Sequence, residues 1–207
     1  MPNWNLSNEA MLGLGLGAVA LAFLLILWLI KRSTNPKVCQ KKVTGILKRF
    51  AGIRQFKVLT DLDLTFEGQT AHFDQVLIGF YGISFITCLG ESAAYYGQEQ
   101  DASWSRVDDG NKKVSFPNPL LTGEKGIDTV RRIFSKNDVY NIQMEHLLVF
   151  AGARKKTEVY VKSSVPVLKR KELGQLLNKV KYQKDNSVDV QKLAELLQQY
   201  AQRPSVS

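Results

Sequence analysis

Residues 11–30 form an uninterrupted apolar run, MLGLGLGAVALAFLLILWLI, and no other feature of the sequence constrains the fold as strongly. A helix of this length rises about 30 Å, the thickness of the hydrocarbon core of a bilayer. A cleavable signal peptide has a basic start and a shorter apolar core, whereas Glu9 is the only charged side chain before this run. The run therefore predicts a retained transmembrane helix over residues 11–30, preceded by a short extracytoplasmic N-terminus, residues 1–10.

The segment after the apolar run is strongly basic. Nine Lys and Arg residues lie between positions 31 and 57, where no Asp or Glu occurs, and they equal the whole net charge of +9. The positive-inside rule places everything after residue 30 in the cytoplasm, in a single-pass protein of the cell membrane. Anionic lipid headgroups are the expected partners, at about 1 kcal/mol for each basic group. The residues predicted to contact the membrane are Lys31, Arg32, Lys37, Lys41, Lys42, Lys48 and Arg49, and the remaining two basic residues are Arg54 and Lys57.

Nucleic acid is the alternative partner for this basic segment, because Lys and Arg also neutralise phosphates. Outside residues 31–57 the basic and acidic residues balance, so composition predicts no second basic patch. The basic runs at 154–156 and 169–171 are interpreted as solvated surface. Two cysteines, Cys39 and Cys88, are too few for a disulfide framework and fit a reducing cytoplasm.

Hydrophobic spacing divides the rest of the chain into helices and strands. Apolar residues three and four positions apart predict helices over 43–50, 122–134 and 169–180, and a last helix capped by Ser187. Alternation predicts strands over 56–66, 71–79, 83–89, 114–116, 145–151 and 158–161, of which the first three form an antiparallel meander. This order predicts an α/β (α+β) sandwich over residues 43–202, after a basic linker, 31–42, and before a tail, 203–207.

Several pieces of this domain also stand in a recognisable order. After the first predicted helix come VLTDLDL at 58–64, HFDQVLIGFYGISFI at 72–86, Trp104, FPNPLL at 116–121, HLLVFAG at 146–152 and SSVPVL at 163–168. In this order they resemble the NERD family, the nuclease-related domain, over about two thirds of the chain. Members of that family often carry an N-terminal transmembrane helix. The resemblance implies a restriction-endonuclease-like sandwich of the PD-(D/E)xK type, with a central mixed sheet flanked by helices.

The resemblance also implies a catalytic site that can be compared with these residues. Such a nuclease places one Asp on a strand, and a second carboxylate and a Lys two residues apart on the next strand. The carboxylates hold Mg²⁺, which polarises the phosphate and activates water. Asp74 matches the first Asp, but Thr87 stands in place of the second carboxylate and Leu89 in place of the Lys.

These replacements predict a degenerate member of the family without nuclease activity and without a cofactor. A lone carboxylate is a poor Mg²⁺ site, and the missing Lys removes a preorganised cation. Migration of the site is the alternative, in which Mg²⁺ is retained. Glu91 would share a face with Thr87 and Leu89 if their strand continued through it, so Glu91 is the candidate migrated carboxylate.

Each of these side chains also has a purely structural interpretation. Asp74 can satisfy a backbone turn or a neighbouring Lys. His72 and His146 are expected at the surface or in hydrogen bonds, because no ligand stands at metal-binding spacing from either. Cys88, within an apolar strand, is expected to be a small buried hydrophobic residue.

Three functions remain open from the sequence. The first is a membrane-anchored, catalytically inactive NERD-like module that binds nucleic acid or protein at the cytoplasmic membrane face. The second is an active Mg²⁺-dependent nuclease with a migrated site, and the third is a membrane-associated structural or assembly protein. Tyr95 and Tyr96 could stack on nucleic-acid bases under the first reading, or pack locally. No small-molecule substrate is evident.

Overall fold

The computed structural model describes residues 8–153 and 156–201, with side chains from Ala18 onward except those of Ser33 and Thr34. Within these residues the helices are α1 (Asn8–Thr34), α2 (Pro36–Gly52), α3 (Pro119–Lys136), α4 (Arg170–Leu177) and α5 (Val190–Gln199). The strands are β1 (Lys57–Phe66), β2 (Gln69–Gly79), β3 (Gly82–Leu89), β4 (Ala94–Gln98), β5 (Ser103–Val107), β6 (Lys113–Pro117), β7 (Met144–Phe150), β8 (Glu158–Lys162) and β9 (Val167–Lys169). The prediction of a mixed α/β fold is confirmed.

The larger sheet has the strand order β1-β2-β3-β7-β9 and is mixed. Strands β1 to β3 form the predicted antiparallel meander, whereas β3, β7 and β9 run parallel to one another. Alternating side chains of the sheet enter two separate cores, one closed by α3 and α5 and the other by α2 and α4. Helices therefore cover both faces of this sheet, as parallel strands require.

Helix α2 begins earlier than the sequence pattern predicted. The Asn35 side chain accepts a hydrogen bond from the Lys37 N–H, and Pro36 occupies the first turn, a common helix start. Cys39 and Val43, four residues apart, are fully buried against the sheet. Residues 36–42 of the predicted linker are thus part of α2, and Cys39 among them belongs to the core.

A second sheet, of order β6-β5-β4-β8, was not expected from the sequence. It is also mixed, since β4 pairs antiparallel with β5 and parallel with β8. Tyr95 and Trp104 from this sheet pack with Phe150 of β7 in a third core. Strand β4 escaped prediction because its five residues, AYYGQ, include a glycine and only one buried side chain.

The C-terminal part differs from the predicted helix over 169–180. Strand β9 comes first, then the short helix α4, and then a 3-10 helix at Val180–Gln183. The start of α5 is capped by Asp189, whose carboxylate accepts the Lys192 N–H at 2.9 Å. The prediction that Ser187 caps this helix is wrong, because Ser187 lies two residues before the cap in a left-handed conformation, φ 57°.

Helix α1 contains the predicted membrane span, residues 11–30. The predicted N-terminal segment 1–10 lies mostly, and the tail 203–207 wholly, outside the described residues. Among the described residues, no single helix has the length and apolar composition needed to cross a membrane. Ala18–Arg32 and Pro36–Gly52, bent by 66° at their junction, meet those two criteria only as a pair.

Candidate functional site

Asp74 lies where β1 and β2 both change the face to which their side chains point. Leu59 and Leu62 of β1 contact the same core, and so do Phe73 and Val76 of β2. Residues three apart lie on opposite faces of a regular strand, so each strand contains one irregular position. The irregularity in β1 is at Asp61, which has a φ of 55° and would otherwise pair with Asp74.

This irregularity turns two consecutive side chains of β2 toward α2. The Asp74 carboxylate is 3.4 Å from Gln40 Nε2, and the Gln75 amide donates to the Thr44 hydroxyl at 3.3 Å. Both partners belong to α2. The backbone irregularity therefore determines that the candidate catalytic Asp74 faces α2. Regular hydrophobic alternation along β2 does not predict this orientation.

The Asp74 carboxylate is held mainly by the neighbouring strand. The Cys88 N–H donates to Asp74 Oδ2 at 2.7 Å, and Gln40 Nε2 also donates to the Cys88 carbonyl at 3.2 Å. His72 Nε2 lies 3.9 Å from Asp74 Oδ1. Burial raises the pKa of the Asp74 carboxyl, and the hydrogen bond from Cys88 and the nearby His72 offset part of that rise.

The two family positions on β3 do not face Asp74. The Thr87 hydroxyl is 2.9 Å from His146 Nε2 on β7, and Leu89 packs against the third core. The β3 side chains on the face of α2 are Ile86 and Cys88, both buried in the core that α2 closes. The prediction that Cys88 is a buried hydrophobic residue is confirmed, and burial together with Asp74 raises the pKa of its thiol.

Glu91 lies beyond the end of β3 and pairs with the second sheet. Its carboxylate is 3.1 Å from the Arg106 guanidinium of β5. Gly90 before it touches the start of α2, since a Cβ there would come within 2.6 Å of the Pro36 carbonyl oxygen. Strand β3 therefore ends against α2 before Glu91, and the ion pair directs the Glu91 carboxylate toward Arg106.

These contacts do not fit the Mg²⁺ that the family resemblance implies for an active site. Asp74 Oδ2 already accepts a hydrogen bond from the Cys88 N–H. The side chains of the facing strand on this side of the sheet are the apolar Ile86 and the Cys88 thiol. Within residues 8–153 and 156–201, no three His, Cys, Asp or Glu side chains come together as metal ligands. A hard cation with octahedral preference needs several oxygen ligands, which this arrangement does not supply.

The two histidines occupy contrasting environments. His72 is half exposed, and its Nδ1 lies 2.7 Å from Asp63 Oδ1 across the β1–β2 ladder. His146 is buried, and burial lowers its pKa to about 4. Its ring packs beneath Gly123 of α3, where a Cβ would come within 2.2 Å of the ring. His146 is therefore a neutral core residue whose Nδ1 has no partner among the described atoms.

The predicted lipid-contacting residues are exposed along α1 and α2. Lys31 and Arg32 end α1, and the Arg32 guanidinium lies 5.1 Å from the Trp28 ring centre. Lys37, Lys41, Lys42 and Lys48 are exposed along α2, and Arg49 stands in its last turn. The 17 residues of α2 rise about 25 Å along the helix axis.

No family model, no curated protein and no solved structure matches this chain.

Proposed function

We propose that this protein is a membrane-anchored NERD-like module that holds a nucleic-acid partner at the cytoplasmic membrane face without cleaving it. The observation that carries the proposal is that the Asp74 carboxylate accepts a hydrogen bond from the Cys88 N–H of the neighbouring strand at 2.7 Å. A carboxylate used in this way stabilises the β2–β3 pair instead of holding a metal ion. The domain thus retains the position of a nuclease Asp in a structural role.

The order of elements supports the nuclease-related part of the proposal. Helix α2 precedes the meander β1–β3, and helix α3 then leads to β7, which adds parallel to β3. The two helices lie on opposite faces of the mixed sheet. A restriction-endonuclease-like sandwich would have such a central mixed sheet flanked by helices.

The surface of α1 supports the anchor. Its large apolar side chains from Val19 to Ile30 are 46–69% exposed. An apolar surface of this extent in a soluble monomer is unusual and marks a membrane or protein contact. The basic residues Lys31 and Arg32 follow at once, as expected at a cytoplasmic interface.

The open face of the second sheet supports nucleic acid as the partner. Tyr96 and Tyr160 stack on each other with ring centres 5.0 Å apart and an angle of 9° between planes. Both rings are about half exposed. Exposed aromatic rings on a sheet are the usual platform for unpaired bases, and one stacked base contributes about 1–3 kcal/mol.

Beside the two tyrosines the surface of the second sheet forms a depression flanked by lysines. Ser105 pairs with Tyr96, and Ser115 pairs with Ser105, so small hydroxyl side chains continue the same row. Lys113 and Lys162 line the same depression, whose volume is about 540 Å³. A base stacked on the free face of Tyr96 would lie over the serines, with a lysine within reach of its phosphate.

The proposal is tested by binding of fluorescent single-stranded RNA and DNA to the full chain in neutral-lipid nanodiscs. Binding should weaken as salt rises, because phosphate contacts release counterions. Tyr96→Ala and Tyr160→Ala should each weaken binding about tenfold or more. Tyr140→Ala is the matched control, since Tyr140 is equally exposed but lies after α3.

Two results would contradict the proposed partner. Equal binding by the Tyr96, Tyr160 and Tyr140 variants would remove the second sheet as a nucleic-acid surface. If neither the natural protein nor any variant binds nucleic acid, a protein partner or an assembly role for the anchored domain is favoured instead.

A further inference from the structure

A groove of about 1,030 Å³ shares no lining residue with the depression beside Tyr96 and Tyr160. Its walls are the C-terminal half of α2 and the first turns of α4. Its floor is formed by the ends of β7 and β9, at Phe150 and Lys169. We call this depression the basic groove. Ligands of open α/β sheets commonly bind outside the carboxyl ends of parallel strands, which is where this groove lies.

Five cationic side chains line the basic groove. They come from two segments more than a hundred residues apart in sequence: Arg49, Arg54, Lys169, Arg170 and Lys171. None of them takes part in an ion pair among the described residues. Lys169 and Lys171 are exposed, as expected of solvated surface, and the fold also places Arg49 and Arg54 across the groove from them.

The single acidic residue of the groove does not balance these cations. Glu172 Oε2 accepts the Lys169 N–H at 2.8 Å, so this carboxylate is engaged at the first turn of α4. Five positive charges around one cavity repel one another unless an anion lies between them. Guanidinium groups in particular match phosphate oxygens through paired N–H donors.

The rest of the lining is partly apolar and offers no open aromatic ring. Ile46, Ile53 and Leu177 add apolar surface to the lining, and the Arg54 guanidinium lies 4.1 Å from the Phe50 ring centre and covers it. No aromatic ring in the groove is thus open for stacking by a base. Gly174 of α4 leaves space, because a Cβ built there meets nothing within 4 Å.

We propose that the basic groove binds a small ligand that carries a pyrophosphate or a phosphomonoester with at least two negative charges. This site goes beyond the nucleic-acid surface on the second sheet and shares no residue with it. The phosphate belongs either to a soluble molecule or to an anionic lipid headgroup. Both sources present the same chemistry to Arg49, Arg54 and Arg170.

The test measures calorimetric binding of inorganic pyrophosphate to the full chain in nanodiscs of phosphatidylcholine. Arg49→Gln and Arg170→Gln should each weaken binding about tenfold, since each removes a charge-assisted contact. Gly174→Glu should abolish binding by adding bulk and negative charge, whereas Gly174→Ala should leave it within about twofold. Arg131→Gln is the matched control, because Arg131 lies on α3 and pairs with Asp128.

A second arm identifies the source of the phosphate. Phosphatidic acid in the nanodisc should displace pyrophosphate if a lipid headgroup occupies the groove, and should leave pyrophosphate binding unchanged if the ligand is soluble. Either result supports the proposal, provided that the Arg170→Gln variant has lost pyrophosphate binding.

Two outcomes overturn the proposal. One is pyrophosphate binding that the Arg49, Arg170 and Gly174→Glu variants all retain. The other is a groove that ignores pyrophosphate and binds oligonucleotides more tightly as their length increases. The Tyr96→Ala variant should keep pyrophosphate binding, which makes failure of this site distinguishable from failure of the nucleic-acid surface.

Discussion

The Cys88 N–H of β3 donates to the Asp74 carboxylate of β2 at 2.7 Å, at a point where the backbone pairing of β1 with β2 is interrupted. The carboxylate takes the place of a carbonyl in satisfying this strand N–H. Asp74 thereby ties together two strands and, through Gln40, the helix α2 that covers them. The contact gives Asp74 a structural role that requires none of the other groups of a nuclease.

The first prediction separates the hydrogen bond of Asp74 from its charge. Asp74→Ala should lower the free energy of unfolding by about 1–3 kcal/mol, because the Cys88 N–H loses its partner inside the protein. Asp74→Asn should be at least as stable as the natural protein at neutral pH, since its amide oxygen can accept the same bond. Urea unfolding of the full chain in detergent measures both, and equal losses in the two variants would contradict the structural role.

The pH dependence of the same residue provides a second prediction. The pKa of Asp74 is raised in the folded state, so the folded protein binds more protons than the unfolded chain as pH rises above the ordinary value of 3.8. Its contribution to stability should therefore fall with rising pH through that window. The difference in unfolding free energy between Asp74→Asn and the natural protein should grow in favour of Asn as pH rises above 3.8. A constant difference would show that burial does not perturb this group.

His146 should have the opposite pH dependence. Its pKa of about 4 in the folded protein lies below the ordinary value of 6.5, so the unfolded chain binds the extra proton between these values. Stability contributed by neutral His146 should be present above pH 6.5 and be lost as pH falls toward 4, by about 3 kcal/mol. His146→Gln should flatten this part of the stability profile, as followed by unfolding at a series of pH values. An unchanged slope would mean that His146 is accessible to protons in the folded state.

Gly123 is predicted to be required for the packing of α3. A Cβ at this position would come within 2.2 Å of the His146 ring, so Gly123→Ala should destabilise the protein by about 1–3 kcal/mol. Gly45→Ala in α2 is the matched control, because nothing lies within 4 Å of its Cβ position. That control should gain about 0.5–1 kcal/mol from helix propensity. Similar thermal shifts in the two variants would argue against the close approach of α3 to β7.

Asn118, in the FPNPLL segment, joins the second sheet to α3. Its buried amide donates to the carbonyls of Glu99 and Asp101, and its Oδ1 accepts the Leu120 N–H at the start of the helix. Asn118→Ala should cost about 2–4 kcal/mol, since it removes a helix cap and two further buried bonds. Asn118→Asp keeps the cap but cannot donate, so its stability should lie between those of Ala and Asn. Thermal unfolding that ranks Asp with Asn would show that the amide donors are unimportant.

The elements with long alternating or helical patterns followed from the sequence, as did the short strands β6 and β8, whereas β4, β5 and β9 did not. The β1–β3 meander and α3 carry enough buried positions for periodicity to identify them. Strands β4 and β9 have five and three residues and depend on their neighbours for burial. Short strands of this kind are stabilised by tertiary pairing, which local sequence does not encode.

The candidate site was predicted only in part, for two physical reasons. The irregular backbone at Asp61 shifts the alternation of β1 and β2, so that Asp74 faces α2 while Thr87 faces α3. The basic groove depends on contacts between α2 and α4, whose cations are far apart in sequence. The overall charge of the domain does not reveal such a cluster, because the fold brings together cations that are far apart in sequence.

The proposed lack of nuclease activity is tested directly by a cleavage assay on the full chain in nanodiscs. Single- and double-stranded DNA and RNA are incubated with Mg²⁺ or Mn²⁺, beside the Asp74→Asn variant, which should fold as well as the natural protein. Neither protein should cleave any substrate above the buffer control. Metal-dependent cleavage by the natural protein that disappears in Asp74→Asn would contradict the proposal, and Glu91 would then be the first residue to examine as a second metal ligand.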